Sequence, residues 1–457
     1  MDFQRKQILE GNLNKLLFKF AGPGILGLLS GFLYVIVDTI FVGRGVGPLA
    51  ITALSIALPI LLAMMAIGLM VGTGSASIIS RALGKNDMKR AVNAMGNGVI
   101  LIFFLNIVFI GLGYIFIDRL LIFFGASSDV LPLVKEYLII VFPGFVLLSF
   151  LIATNDFVRA EGKPRAAMYF IAVGSLLNII LDPIFIFGFK MGIRGAAIAT
   201  VIGEILSTVL IMWFYIWGKS IYRFRLSMFK IDFKKIREIL FIGSPNLLMM
   251  TIASIVILIF NKSLRIYGND IHIAILGIGY RMIGLIQVPI VVISQSFATI
   301  SSFNYGAKLY KRVKKVLGIT LLWTTVISFL AFIPMMFFPR YFLNIFSSDP
   351  ILVNAGIVPL RVLIIFFPLV GMHMVSASFF QSLGKPIQSL VIISTKQFLL
   401  LIPAIYILPK FFGLNGVWLA MPVADFLSIT IAIVFIFYEI KIFNRKVAKD
   451  ALELEVS

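Results

Sequence analysis

The chain is 457 residues long and has the composition of a membrane protein. Hydrophobic residues make up 60% of it and charged residues 13%, whereas a soluble domain is nearer half apolar and a quarter charged. Cysteine is absent, which excludes disulfides, thiolate metal sites and cysteine nucleophiles. The net charge of +20 comes mostly from short loops between apolar stretches, so we expect anionic lipid headgroups, and no nucleic acid, as partners.

Apolar stretches longer than about 18 residues recur along the whole chain, which predicts membrane-spanning helices. We therefore expect an all-α membrane protein with twelve transmembrane helices. The predicted spans lie near residues 15–42, 52–79, 93–117, 131–154, 165–188, 195–217, 238–261, 273–300, 316–338, 353–378, 387–408 and 414–440.

The first half of the chain is repeated in the second half at a shift of about 222 positions. Pro23 corresponds to Pro245, and the Gly-Lys-Pro sequence at 162–164 corresponds to the same sequence at 384–386. A duplicated apolar chain is a common architecture of transporters, in which the substrate site lies between the halves.

The repeat also predicts how the helices are arranged. Because each copy has six spans, both copies enter the membrane from the same side, and their pseudo-two-fold axis runs along the membrane normal. We therefore predict two six-helix bundles forming a V: an N-terminal lobe at 1–217, a cytoplasmic connector at 218–237 and a C-terminal lobe at 238–457.

Four polar residues of the first copy are predicted to lie at one depth in the membrane. By the rise of about 1.5 Å per residue, Asp38, Asp182 and Thr200 lie roughly 9–12 Å below the outer boundary. Asn178 precedes Asp182 by four residues and shares its helix face. Two carboxylates, an amide oxygen and a hydroxyl suit a monovalent cation such as Na⁺, or a proton shared between the acids.

The alternative for these residues is a structural role in helix packing, which is common for Asn and Thr in membranes. For the two acids the repeat argues against that role. Asp38 and Asp182 fall opposite Phe260 and Ile402 in the second copy, so this fold does not require acids at those positions.

Further polar residues within or near the spans are candidates for a relay or for the substrate cleft. Glu204 and Asp425 occupy equivalent positions in the two copies, so an architectural role is as plausible as a relay. A structural role is also the alternative for each of the others. The candidate set is Asn155, Asp156, Glu204, Arg281, His373, Lys396, Gln397 and Asp425.

The sequence NIILDPIFIFGFKMGIRGAAIAT at 178–200 resembles the multidrug and toxic compound extrusion (MATE) transporters. The motifs VDTIFVG (37–43), ISRALGKND (79–87), AEGKP (160–164), FNYGAK (303–308) and QSLGKP (381–386) extend the resemblance over all twelve spans.

The resemblance implies a site as well as a fold. Asp38, Asn178, Asp182 and Thr200 match the first-lobe cation site of the branch that includes the DNA-damage-inducible exporters. Another branch places acids on helices 7 and 10. This chain has none within helix 7 and offers only His373 on helix 10, so it does not match a second-lobe cation site.

The resemblance implies an antiporter that couples Na⁺ or H⁺ entry to the export of amphipathic, often cationic compounds. We expect it to work without a cofactor, as a monomer in the inner (plasma) membrane. The first alternative is a flippase of lipid-linked saccharides, which would need several cations in its cleft. The second is an integral-membrane enzyme, but the sequence lacks the paired acidic motif or histidine site that such an enzyme requires.

Basic residues predict which side of the membrane the termini occupy. The termini and the loops after even-numbered spans hold 27 of the 40 Lys and Arg residues, and the opposite loops and adjoining helix ends hold 10. The positive-inside rule then places both termini and the connector in the cytoplasm.

Cysteine labelling of intact cells tests this orientation. In the cysteine-free chain, Asn269→Cys should react with a membrane-impermeant maleimide added outside, and Ser227→Cys should react only after the cells are opened. Labelling of position 227 and protection of position 269 would reverse the assignment.

Overall fold

The computed structural model is helical throughout, with no strand in the part of the chain that it describes. It describes residues 2–46, 48–124, 126, 128, 130–218, 220–221, 223–224, 228–346 and 350–456. Lys219, Tyr222 and residues 225–227 of the predicted connector, including the labelling position Ser227, lie outside these ranges. The prediction of an all-α protein is confirmed.

Within the described ranges, the first half of the chain contains eight helices, of which two are short. They are α1 (Asp2–Glu10), α2 (Leu13–Gly45), α3 (Pro48–Gly84), α4 (Met88–Ile115), α5 (Ile117–Phe123), α6 (Leu131–Ala160), α7 (Pro164–Pro183) and α8 (Ile193–Ile216). A π-helical turn at Ile184–Gly188 follows α7. It begins directly after Pro183, which has no backbone N–H with which to continue the α-helical pattern.

The second copy follows the same plan. Its helices are α9 (Phe233–Tyr267), α10 (Asp270–Gly306), α11 (Tyr310–Phe337), α12 (Pro339–Phe346), α13 (Pro350–Ile364), α14 (Phe367–Ser382), α15 (Pro386–Ser394) and α16 (Ile402–Val456). A π-helical stretch at Thr395–Leu401 joins α15 to α16, in a place comparable to the π-helical turn of the first copy.

Nine helices of the described residues are long and apolar enough to cross a membrane, or ten if the bent pair α13 and α14 counts as one span. One of the nine, Pro386–Arg445, is 60 residues long, about three times the length that a bilayer requires. Gly413 interrupts it with a non-helical φ of 54°, which divides it into two spans. With α2, the helices account for the twelve predicted spans.

The described chain divides into two compact units that cut across the ends of the repeat. The first unit comprises Met1–Gln7 and Lys19–Leu247, and the second comprises Ile8–Phe18 and Leu248–Ser457. The lobe limits predicted from the sequence remain predictions. Each unit has its own apolar core, built from the apolar faces of its long helices.

Each unit also includes a segment from the other half of the chain. In the second unit, Arg312 donates to the Gly11 carbonyl (2.8 Å), and the Phe18 ring packs edge-on against Trp323. In the first unit, the Asp232 amide donates to Asn97 Oδ1 (2.8 Å). Directional hydrogen bonds therefore fix the entry of α2 and of α9.

The connector is also fixed at its start, by a buried acid. Glu161 follows α6, is 1% exposed, and accepts hydrogen bonds from Ser220 Oγ (2.9 Å) and from the Ile221 amide (3.0 Å). Lys163 Nζ lies 3.7 Å from its carboxylate. Desolvation outweighs these stabilising contacts and raises the pKa of Glu161 to about 7.

The raised pKa predicts that stability depends on pH. Since the folded-state pKa exceeds the unfolded value, the contribution of Glu161 is fully present below pH 4.5 and is lost as pH rises through about 7. A shift of this size corresponds to about 3 kcal/mol. Glu161→Gln should therefore flatten the fall in unfolding temperature between pH 5 and pH 8, measured by differential scanning fluorimetry in detergent.

Glu136→Gln is the matched control, because Glu136 is an exposed acid that pairs with Arg194 (2.8 Å). It should leave the pH dependence of the wild type unchanged. An equal flattening in both variants would show that Glu161 is not the titrating group.

Candidate functional site

The four residues predicted to bind a cation converge within the first unit. Asp38 lies on α2, Asn178 and Asp182 on α7, and Thr200 on α8. Asp38, Asn178 and Asp182 are buried, with exposed fractions of 8%, 2% and 0%, and Thr200 is half-buried. Spans that are far apart in sequence therefore bring the predicted oxygen ligands together.

The Asn178 amide connects Asp182 to Thr200. In the amide orientation that satisfies both ends of the side chain, Nδ2 donates to Asp182 Oδ2 (3.2 Å) and Oδ1 accepts from Thr200 Oγ1 (3.3 Å). The i,i+4 spacing on α7 produces the first contact. The second contact depends on how closely α7 and α8 approach each other.

Glycines permit that close approach. A Cβ at Gly174 would lie 2.7 Å from the Gly203 carbonyl oxygen, and a Cβ at Gly203 would lie 2.8 Å from the Gly174 carbonyl oxygen. Small residues at a helix crossing let the backbones touch in this way. Gly174 is one turn from Asn178, and Gly203 is three residues from Thr200, so the crossing sets the geometry of the site.

Asp38 and Asp182 lie within electrostatic range of each other. Asp38 Oδ1 is buried and has no hydrogen-bond partner. None of the ion pairs within the described ranges includes either acid. Two carboxylates in an apolar bundle require a cation or a proton between them, and the free Asp38 oxygen offers a ligand for it.

Two tyrosines lie near the carboxylates, and the sequence analysis did not identify them. Tyr34 and Tyr137 are each within electrostatic range of Asp38, Asp182 and Glu204. Tyr34 precedes Asp38 by four residues, so the shared helix face was a readable signal. Tyr137 lies on α6, and its proximity depends on packing that the sequence does not encode locally.

Glu204 extends this cluster on α8. It is 7% exposed, and its Oε2 is buried without a hydrogen-bond partner. A Cβ at Gly144 would lie 2.8 Å from that oxygen, so the glycine on α6 makes room for the carboxylate. The cluster thus holds three buried acids, one more than the predicted site.

In the second unit, the acid equivalent to Glu204 is paired with a lysine. Asp425 Oδ1 lies 2.6 Å from Lys396 Nζ, and both side chains are buried or nearly so. Lys396 lies within the π-helical stretch after α15. The equivalent positions Glu204 and Asp425 therefore differ in charge balance, because only the second has a lysine as its partner in the described residues.

The other candidate residues of the second copy differ in burial. His373 is buried near Lys396, and its Nε2 lies 3.1 Å from the Ile392 carbonyl oxygen. Gln397 Oε1 is buried without a hydrogen-bond partner. Arg281 is exposed. The structure thus brings His373 and Lys396 together with Asp425.

Asn155 and Asp156 have structural contacts at the end of α6. Asn155 Nδ2 donates to the Ala167 carbonyl (2.7 Å), which ties α6 to α7. Asp156 Oδ1 lies 3.8 Å from Arg159 Nη1, a contact that fits the structural alternative. Asp156 Oδ2 has no hydrogen-bond partner.

The donor set of the first unit suits hard, weakly charged cations. Within the described ranges, no group of three or more His, Cys, Asp or Glu side chains could hold a metal ion. Carboxylate, amide and hydroxyl oxygens are ligands for alkali and alkaline-earth cations rather than for transition metals. The same carboxylates can instead share a proton.

Comparison with known proteins identifies the family of the chain. The MatE family pattern matches residues 23–184 and 245–407, once in each copy. The multidrug export protein MepA of Staphylococcus aureus (strain MRSA252) is 26% identical over 425 residues, covering 93% of both chains. The FAD transporter of Shewanella oneidensis (strain MR-1) is 26% identical over 430 residues, covering 93% of this chain and 94% of its own.

Solved structures share the fold. A crystal structure of MATE in the bent conformation superimposes with a TM-score of 0.92 at 24% identity, covering 97% of this chain and 99% of its own. MATE in complex with MaL6 gives a TM-score of 0.91 at 24% identity, covering 96% and 99%. The predicted fold class, twelve helices in two bundles, is confirmed.

The family pattern covers more than half of the chain and repeats at the spacing found in the sequence. The apolar helices make the protein a multi-pass membrane protein. The chain therefore belongs to the MatE family and is a secondary transporter rather than an enzyme.

Proposed function

We propose that the protein is an antiporter that uses inward movement of Na⁺ or H⁺ to export amphipathic, often cationic compounds by alternating access. The observation that carries the proposal is the convergence of Asp38, Asn178, Asp182 and Thr200 in the first unit. An ionisable residue in a span costs at least about 2.5–3.5 kcal/mol at mid-helix, so such a cluster is retained where it has a function.

The cation would act by differential affinity. When Asp38 and Asp182 are ionised together they repel each other, and they draw water and neighbouring dipoles towards them. A bound Na⁺ or proton removes that demand. The state of α2 in which Asp38 packs against α7 is then favoured, and by linkage the transporter binds its substrate with a different affinity.

Helix α2 has the features of an element that can repack. Pro23 lies within it, which removes one backbone hydrogen bond. Among the described residues, a Cβ added at Gly22 or Gly31 would have no neighbouring atom within 4 Å. A Cβ added at Gly27 would lie 3.5 Å from Met168 of α7. Helix α2 thus has positions where its backbone can bend, and it contacts α7, the helix that carries Asp182.

The substrate class rests on the family and on the relatives' functions. MepA is a multidrug export protein, and we propose a similar range of amphipathic substrates here. The relative that is an FAD transporter suggests an anionic dinucleotide as an alternative substrate of this protein. Lys396 is already neutralised by Asp425 (2.6 Å), so we expect no export of FAD by this protein in liposomes.

Neutralising either acid of the pair should abolish coupled export. In liposomes with an imposed Na⁺ or H⁺ gradient, Asp38→Asn and Asp182→Asn should each reduce export of a fluorescent cationic dye at least tenfold. The reason is that an amide cannot carry the negative charge that the driving cation compensates. Asp118→Asn is a matched control, since Asp118 is an exposed acid paired with Lys135 (2.8 Å).

The pair Lys396 and Asp425 of the second unit tests whether only the acids of the first unit are needed for coupled export. Removing one member would leave a buried charge unpaired, so both are replaced, by Lys396→Met with Asp425→Leu. This double variant should retain at least half of the wild-type export. Wild-type export by Asp38→Asn at normal protein yield would refute the cation site.

A substitution at Thr200 tests whether the coupling ion is Na⁺ or H⁺. Thr200→Val removes a hydroxyl that can ligate a metal but cannot hold the transported proton. If the site binds Na⁺, the variant should weaken Na⁺ binding about tenfold, equivalent to about 1.4 kcal/mol, and leave proton titration of the acids unchanged. The two acids titrate as a pair, so the titration is assigned to the site.

Isothermal titration of purified protein with NaCl, with choline chloride as the ionic-strength control, measures this change. Unchanged Na⁺ affinity in Thr200→Val would contradict Na⁺ coordination by the four residues. Export that persists without Na⁺ and collapses with a protonophore would then identify H⁺ as the coupling ion.

A further inference from the structure

A cavity of about 530 Å³ lies in the first unit between α4, α6, α8 and the connector. Its volume falls within the range of ligand-binding sites in proteins. Apart from one threonine, the side chains that line it are apolar or aromatic. They include Val99, Phe103, Phe150, Met212, Phe224 and Phe229.

The lining of the cavity reaches the surface that the membrane covers. Phe103 lines the cavity and is 40% exposed. Phe104, Val209 and Trp213, beside lining residues on the same helices, are exposed as well. Exposed apolar residues on a membrane-spanning helix face lipid tails, so a ligand would enter from the bilayer.

The cavity lies in the leaflet next to the connector. Met212 is four residues before α8 ends at Ile216, which is a height of about 6 Å. Trp213 and Trp217 mark this end of α8 with the aromatic side chains typical of a membrane interface. An occupant therefore has its apolar part in the hydrocarbon region and one end near the headgroups.

Phe224 and Phe229 of the connector line the cavity, and the described residues around them form its roof. The Phe224 ring stacks on Tyr215, with centroids 4.7 Å apart and planes 11° apart. At the other end, Met228 is buried, and a Cβ at Gly96 would lie 2.1 Å from its carbonyl oxygen. Only glycine lets the connector lie this close to α4.

The roof also carries positive charge on its outer side. Arg223 precedes Phe224, and Lys230 follows Phe229. Both cations are exposed, whereas both phenylalanines are half-buried and line the cavity. The connector thus presents apolar rings inward and cations outward at each end of the cavity.

We propose that this cavity binds an anionic phospholipid of the leaflet next to the connector. One acyl chain fills the apolar cavity, and the phosphate-containing headgroup lies against Arg223 and Lys230. The combination of an apolar cavity whose lining reaches the lipid-facing surface and of flanking cations matches the two parts of such a lipid. The site is separate from Asp38 and Asp182, and the proposal does not depend on the coupling ion.

Photo-crosslinking with two lipids tests the proposal. Purified full-length protein is exchanged into phosphatidylglycerol or phosphatidylcholine carrying the same diazirine-labelled acyl chain, irradiated, and mapped by peptide mass spectrometry. We expect adducts on peptides that contain Phe103, Met212 or Phe229, at least fivefold more abundant with phosphatidylglycerol. Excess unlabelled phosphatidylglycerol should displace the label, and phosphatidylcholine should not.

The double variant Arg223→Gln with Lys230→Gln should reduce the preference for phosphatidylglycerol to less than twofold. Lys311→Gln with Lys315→Gln removes the same charge from exposed positions of the second unit and should retain the preference. Equal labelling by both lipids, adducts outside the cavity, or an unchanged preference in the Arg223 and Lys230 variant would overturn the proposal. Displacement by a lipophilic cation but not by phosphatidylglycerol would also overturn it.

Discussion

The structure of the first unit depends on the burial of carboxylates inside an apolar helix bundle. Asp38 and Asp182 meet across α2 and α7, and Glu204 lies in the same electrostatic neighbourhood as Tyr34 and Tyr137. Hydrophobic burial cannot stabilise ionised groups in this setting, and only charge compensation or protonation can. The conformation of these helices therefore depends on how the charge of the acids is compensated.

The two copies show what this dependence means for function. In the second unit, Lys396 neutralises Asp425 within the protein, so this acid needs no ion from solution. In the described part of the first unit, no lysine or arginine forms an ion pair with Asp38, Asp182 or Glu204. The duplicated fold thus provides one internally balanced bundle and one bundle whose charge balance is open to exchange with the medium.

Much of the fold could be predicted from the sequence, because membrane spans are long and strongly apolar. The proximity of the candidate residues could also be predicted, since helix rise gives the depth of Asp38, Asp182 and Thr200. Depth does not give the direction in which a side chain points. For that reason, the approach of Tyr137 to the acids could not be read from the sequence.

The pairing of Lys396 with Asp425 could not be predicted from the sequence, for a related reason. The two residues are on separate helical segments, and Lys396 lies in a π-helical stretch. A π-helical stretch changes the angular spacing of successive side chains, so a regular α-helical reading places Lys396 on the wrong face. Its partner becomes evident only when α15 and α16 are packed together.

Proton release on substrate binding tests the central claim most directly. Purified protein in weakly buffered detergent is mixed with a cationic dye in the absence of Na⁺, and the pH change is followed with an indicator. We expect the wild type to release protons, and a double variant with Asp38→Asn and Asp182→Asn to release none while still binding the dye. Addition of NaCl in place of dye should release protons from the wild type if Na⁺ shares the site. Undiminished proton release by the double variant would contradict the assignment of cation binding to the first unit's acids.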